Sequence, residues 1–111
     1  MKIRSAIFST LFMIHGVVMA DECTTWGCFS TIETLYVNAS GNIFVGTPLD
    51  ETKANCTASS GVFFTLNTKS SNAKEMYSSL LAAYMANSKV QLRIIEGSGS
   101  CELSYIRLGK Y

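Results

Sequence analysis

Few residues in this chain have the types and spacing that chemistry requires. Its one histidine, His15, lies within the first twenty residues, so the rest of the chain has no imidazole. That removes the usual general base, the Ser–His and Cys–His nucleophile pairs, and histidine-ligated zinc. Carboxylates remain at Glu33, Asp50, Glu51, Glu75, Glu96 and Glu102. A glycosidase-type pair of acids would need roughly 5–10 Å of separation inside a cleft. Asp50 and Glu51 instead fall in a polar loop, and Glu75 stands three positions after Asn72, the spacing of a capping box. The chain therefore reads as a binding protein and not an enzyme, with no cofactor and no metal expected. The side chains best suited to touch a ligand are Tyr36, Phe44, Arg93 and Tyr105.

Four cysteines complete the reactive set: Cys23, Cys28, Cys56 and Cys101. An even count in a small exported chain reads as two disulfides, and the paired C-x-x-C knuckles of a Cys-only zinc site are missing. Trp26, the only tryptophan, sits among them, as a large aromatic that packs over a disulfide would. Gly97-Ser98-Gly99-Ser100 has no phosphate-loop context, so its glycines read as turn glycines. Asn38-Ala39-Ser40 and Asn55-Cys56-Thr57 match the glycosylation sequon, which matters only in a host that glycosylates.

The 111 residues suit one small domain behind a leader. Lys2 and Arg4 form a positive start, Ala6 to Val18 is an apolar run too short for a normal membrane span, and Val18-Met19-Ala20 resembles a cleavage site. Residues 1–20 thus read as a secretion signal and residues 21–111 as the mature domain, secreted or periplasmic, with no integral membrane segment. Removing the leader takes two of the nine Lys and Arg and none of the eight acids, leaving a net charge of −1. A near-neutral exported domain carries no electrostatic footprint for nucleic acid.

The element that must organise the rest is a helix over Asn72–Ser88. Asn72 and Glu75 supply the capping box, and no Gly or Pro interrupts the run. At 100° per residue, Ala73, Met76, Tyr77, Leu80, Leu81, Ala83 and Tyr84 share a core-facing side. The opposite side is small rather than charged. Its Ser78, Ala82, Met85 and Ala86 suit contact with a neighbouring subunit. Strands are expected over Phe29–Val37, Asn42–Thr47, Val62–Leu66, Lys89–Glu96 and Leu103–Leu108. Asn38-Ala39-Ser40-Gly41 turns the first pair into a hairpin. Pro48 to Gly61 is a long polar loop pinned by Cys56.

The order β-β-β-α-β-β in about ninety residues is that of the OB-fold, a five-stranded Greek-key barrel with a helix between its third and fourth strands. The alternative is an open α+β sheet with the helix on one face. In the barrel all four cysteines gather at one end. Neighbouring third and fifth strands favour Cys56–Cys101 and leave Cys23–Cys28 as a tight loop. Cys28–Cys101 with Cys23–Cys56 competes, and the sequence does not decide between them.

K-E-M-Y-S-S-L-L-A-A-Y-M-A-N-S-K-V-Q-L-R-I, Lys74 to Ile94, resembles the helix-then-strand segment of the small B subunits of pentameric bacterial toxins of the subtilase-cytotoxin, typhoid-toxin and pertussis type. Small secreted bacterial proteins beginning W-x-C or W-G-C look similar. The matching residues cover about a fifth of the mature chain. The resemblance implies a disulfide-bonded OB-fold, a homo-oligomeric ring of five with its helices facing a central pore, and binding of cell-surface glycans. No sugar-site motif of that group matches residue by residue. The expectation is thus a secreted, oligomeric binding module for a cell-surface glycan. The alternative is a monomeric inhibitor or partner-binding protein with a protein target.

Overall fold

The computed structural model describes residues 20–111. The leader expected over residues 1–20, apart from Ala20, lies outside them, as does His15. The described chain is mainly β with one helix. Its elements are β1 (Glu22–Thr24), β2 (Gly27–Ser30), β3 (Thr34–Val37), β4 (Ile43–Gly46), a single 3₁₀ turn (Glu51–Lys53), β5 (Phe64–Leu66), α1 (Ala73–Ala86), β6 (Val90–Ile94) and β7 (Leu103–Leu108). They form two antiparallel sheets, one in the order β1-β2-β6-β7 and the other β3-β4-β5.

The β3–β4 hairpin follows from its turn. Asn38 Oδ1 accepts hydrogen bonds from the Ser40 and Asn42 amides at 3.1 and 3.0 Å, and Gly41 supplies the positive φ of 81°. The expected strand over Phe29–Val37 is not continuous. It breaks at Thr31–Glu33 into β2 and β3, which belong to different sheets. Gly27 to Ser30 are all buried, so β2 has no solvent face, whereas β3 ends exposed. Ile32 turns into the core at the break. The segment just before β2 supplies a strand that alternation does not reveal. β1 pairs with β2 through a Thr25-Trp26 turn, with Cys23 directly opposite Cys28.

The N-terminal capping of the helix differs from expectation. Asn72 makes no side-chain cap, and only its backbone carbonyl receives the Met76 amide at 3.0 Å. Its φ of −104° and ψ of 15° lie outside the extended region in which an N-cap side chain normally reaches back. Glu75 is therefore not held in a capping box. The C-terminus closes on Asn87 in the left-handed region, with Ser88 donating to the Ala83 carbonyl at 3.0 Å. Leu80 and Ala83 are buried, but Leu81 and Tyr84 are 41 % and 42 % exposed, so the buried stripe is narrower than the periodicity implied. Val62, which alternation over Val62–Leu66 puts on the same face as Phe64 and Leu66, is also exposed. The chain reverses at Ser60 and Gly61, both with positive φ, and Ser59 bridges Phe63 before β5 begins.

The core lies between the sheets and under α1. Val45 and Phe64 come from one sheet and Leu92 and Ile94 from the other, with Leu80 above them. Alternation is clean in β6, where Val90, Leu92 and Ile94 are buried and Gln91 and Arg93 are not. No continuous ladder closes a barrel among the described residues. The sheets meet at one parallel bridge, Thr65 to Glu102, where the Thr65 amide donates to the Cys101 carbonyl at 3.0 Å.

All four cysteines are bridged, as Cys23–Cys28 and Cys56–Cys101. They gather at one end, where the Asn55 amide donates to the Thr25 carbonyl at 2.9 Å and the Thr57 amide to the Ser98 carbonyl at 3.1 Å. No helix among the described residues is long and apolar enough to cross a membrane.

Candidate binding site

The strand registers place Tyr36 opposite Phe44 and Phe44 opposite Thr65. The bridge from Thr65 to Glu102 carries this row across the seam to the residue before β7. On β4 and β5 the row is the outer face, because their sequence neighbours Val45 and Phe64 are fully buried. Tyr36 stacks on Phe44 with centroids 4.8 Å apart, and Phe63 closes the group at 5.4 Å from Tyr36 and 5.9 Å from Phe44. Mutual packing of this kind fixes the rings in place. Phe63 is not among the expected ligand contacts, although alternation over Val62–Leu66 already puts it on the face opposite Phe64 and Leu66.

Beside Phe44 a cleft of about 460 Å³ opens at the seam. β4 contributes Ile43 and Phe44, preceded by Asn42. β5 contributes Thr65 and Leu66, the turn that follows gives Asn67, Thr68 and Lys69, and Ser59, Ser100 and Glu102 complete the lining. Ile43, Phe44 and Leu66 are thus its apolar lining, and the rest presents hydroxyls, carboxamides, one ammonium and one carboxylate.

Local hydrogen bonds hold these groups. Thr65 Oγ1 donates to the Ser100 carbonyl at 2.9 Å and lies 3.2 Å from Ser100 Oγ. Asn67 Oδ1 accepts from the Lys69 amide at 2.9 Å, which shapes the turn and leaves the carboxamide nitrogen available. The Glu102 amide donates to Ser98 Oγ at 3.0 Å. Among the described residues neither Lys69 nor Glu102 has an ion-pair partner; the one salt bridge is Lys89–Asp21, at 2.8 Å. The volume lies within the range of small-molecule sites, and the lining has the usual plan of one apolar wall with convergent polar groups.

The four expected ligand contacts form two pairs. Tyr36 and Phe44 stand together beside the cleft, whereas Arg93 and Tyr105 face each other across β6 and β7, on the other sheet. Ser78, Ala82, Met85 and Ala86 lie exposed on α1, Met85 at 75 %. Of the carboxylates, Glu51 is 2 % exposed and accepts from the Thr47 amide at 2.7 Å and its hydroxyl at 2.8 Å. Asp50 accepts from the Thr52 amide and caps the 3₁₀ turn. Both acids therefore order the Pro48 loop.

Sequence reasoning missed Thr65, the Asn67–Lys69 turn and Ser100. The Cys56–Cys101 pairing was the signal that would place Ser100 and Glu102 beside β5. Comparison with protein-family models, with characterised proteins and with solved structures finds no match for this chain.

Proposed function

We propose that this chain is a secreted, non-enzymatic binding module that holds a sugar in the seam cleft and works as an oligomer. The leader and the two disulfides support export. The observation that carries the reading is Phe44 at a cleft of sugar-sized volume whose lining mixes apolar and polar side chains. The C–H face of a pyranose packs on the Phe44 ring while its hydroxyls bond to amides, hydroxyls and charged groups opposite. The exposed small face of α1, with Ser78, Ala82, Met85 and Ala86, serves as the subunit contact, since small side chains allow close backbone approach. In this reading the two sheets are halves of one OB-type barrel. The chain passes from one to the other at Thr31–Glu33, and Thr65–Glu102 is the seam.

Screening the oxidised protein on a glycan array, followed by an NMR titration with a bound sugar, tests this. Shifts are expected at Phe44, Thr65, Asn67 to Lys69 and Ser100. Phe44→Leu, which keeps an apolar side chain but removes the ring, is expected to weaken binding at least about tenfold, or about 1.4 kcal/mol. An array on which no glycan binds removes the sugar reading. Light scattering reads the assembly: the mass of a single subunit replaces it with the monomeric, partner-binding alternative.

A further inference from the structure

The outer face of β6 and β7 is distinct from the cleft. In their antiparallel register Gln91 lies opposite Arg107 and Arg93 opposite Tyr105. Val90, Leu92 and Ile94 take the core side, so these four side chains share the other face. Arg93 and Arg107 are thus diagonal neighbours, a placement that separates backbone positions by about 7–8 Å. Among the described residues neither guanidinium lies within ion-pair distance of an acid, and the single salt bridge is between Lys89 and Asp21. Glu22 is on this face but at its far edge, opposite Phe29, with β2 and β6 between it and Arg107.

The next position beside Arg93 is Gly27 on β2. Its φ is +140°, and a Cβ there would lie 2.0 Å from the Leu92 carbonyl oxygen. No side chain can occupy that position, and β2 is covered along its length: Gly27 is buried beside Arg93, and Phe29, beside Gln91, lies under Tyr111 with ring centroids 4.6 Å apart. The exposed part of the face, on β6 and β7, therefore offers two delocalised cations, a carboxamide and a 41 %-exposed phenol, with no counter-ion among them.

We propose that this face binds a sulfated polysaccharide, with Arg93 and Arg107 each gripping a sulfate ester and Gln91 and Tyr105 bonding to the sugar between them. The planar guanidinium fork matches an oxyanion in a way that an ammonium does not. Two forks on adjacent strands match esters repeated on neighbouring sugar units. A lipid surface is a poorer complement. Two cations fall short of the clusters of about four to eight that hold a protein to anionic lipid.

The test is binding of a size-defined heparin oligosaccharide by calorimetry between about 50 and 200 mM salt. The unaltered protein is expected to bind, with affinity falling as salt rises. The double variant Arg93→Gln/Arg107→Gln is expected to lose at least about tenfold in affinity and most of the salt dependence. Lys74→Gln, on the exposed start of α1, and Phe44→Leu, at the cleft, are expected to bind normally. Coincident thermal melting of all variants shows that the fold is kept. Absence of oligosaccharide binding overturns the proposal. So does a double variant that binds normally, an equal loss in Lys74→Gln, or binding to phosphatidylserine vesicles in place of the oligosaccharide. Because Phe44→Leu reports the cleft separately, failure of one site leaves the other standing.

Discussion

Asp50 and Glu51 are neighbours of one chemical kind with different surroundings. Glu51 is buried and its oxygen receives two hydrogen bonds from Thr47, which keeps the Pro48 loop folded against β4. Asp50 is on the surface. The Thr52 hydroxyl, then the Thr52 amide and the charge of Lys53, hold its carboxyl below the ordinary value of 3.8. A carboxyl with a lowered folded-state pKa stabilises the fold above its unfolded value and loses that contribution as pH falls through the folded value. Titration of the Asp50 carboxyl by NMR is expected to place its midpoint below 3.8. Thr52→Val, which deletes the hydroxyl, is expected to raise it; an unmoved midpoint overturns the assignment. Neither role was visible in the residue types. Both depend on which threonine the loop brings within reach, which spacing alone does not specify.

At the scale of elements, α1 and the β3–β4 hairpin are where sequence and structure agree best. Asn87 in the left-handed region ends the helix within two residues of the expected boundary. Asn38 and Gly41 dictate their turn through local hydrogen bonding and backbone freedom, which need no tertiary information. The single strand expected over Phe29–Val37 failed because the core draws Ile32 inward and bends the backbone, a demand made by distant residues. The narrow buried stripe of α1 leads to a contrast. Leu80→Ala is expected to cost about 2–5 kcal/mol in urea unfolding, because Leu80 is fully enclosed. Met85→Glu, at the most exposed position of the same helix, is expected to change stability by less than about 0.5 kcal/mol. In the proposed oligomer it also lowers the native mass to that of one subunit; an unchanged oligomer removes this face from the contact.

For the whole molecule the decisive parts are long-range. The cleft draws on three segments, 42–44, 59–69 and 100–102, which no local pattern connects. Its apolar lining was partly legible, since Phe44 stood out on an alternating strand, but its polar half became visible only with the fold. The two disulfides are expected to differ in weight. Cys56–Cys101 spans 45 residues and Cys23–Cys28 only 5. Loop-closure entropy gives about 4 kcal/mol for the first and about 2 for the second. Urea unfolding of the two double-serine variants measures the difference, and equal losses would show that chain entropy does not set it.

The longer cross-link also sits where the sheets share little else. Ser100 and Glu102, on one lip of the opening, flank Cys101 itself, and Ser59 on another lies three residues from Cys56. Severing that bond frees the lips to part. In the proposed reading, a chain made in a reducing compartment carries every residue of the cleft yet is blind to its sugar, and recognition begins only once the bond has formed.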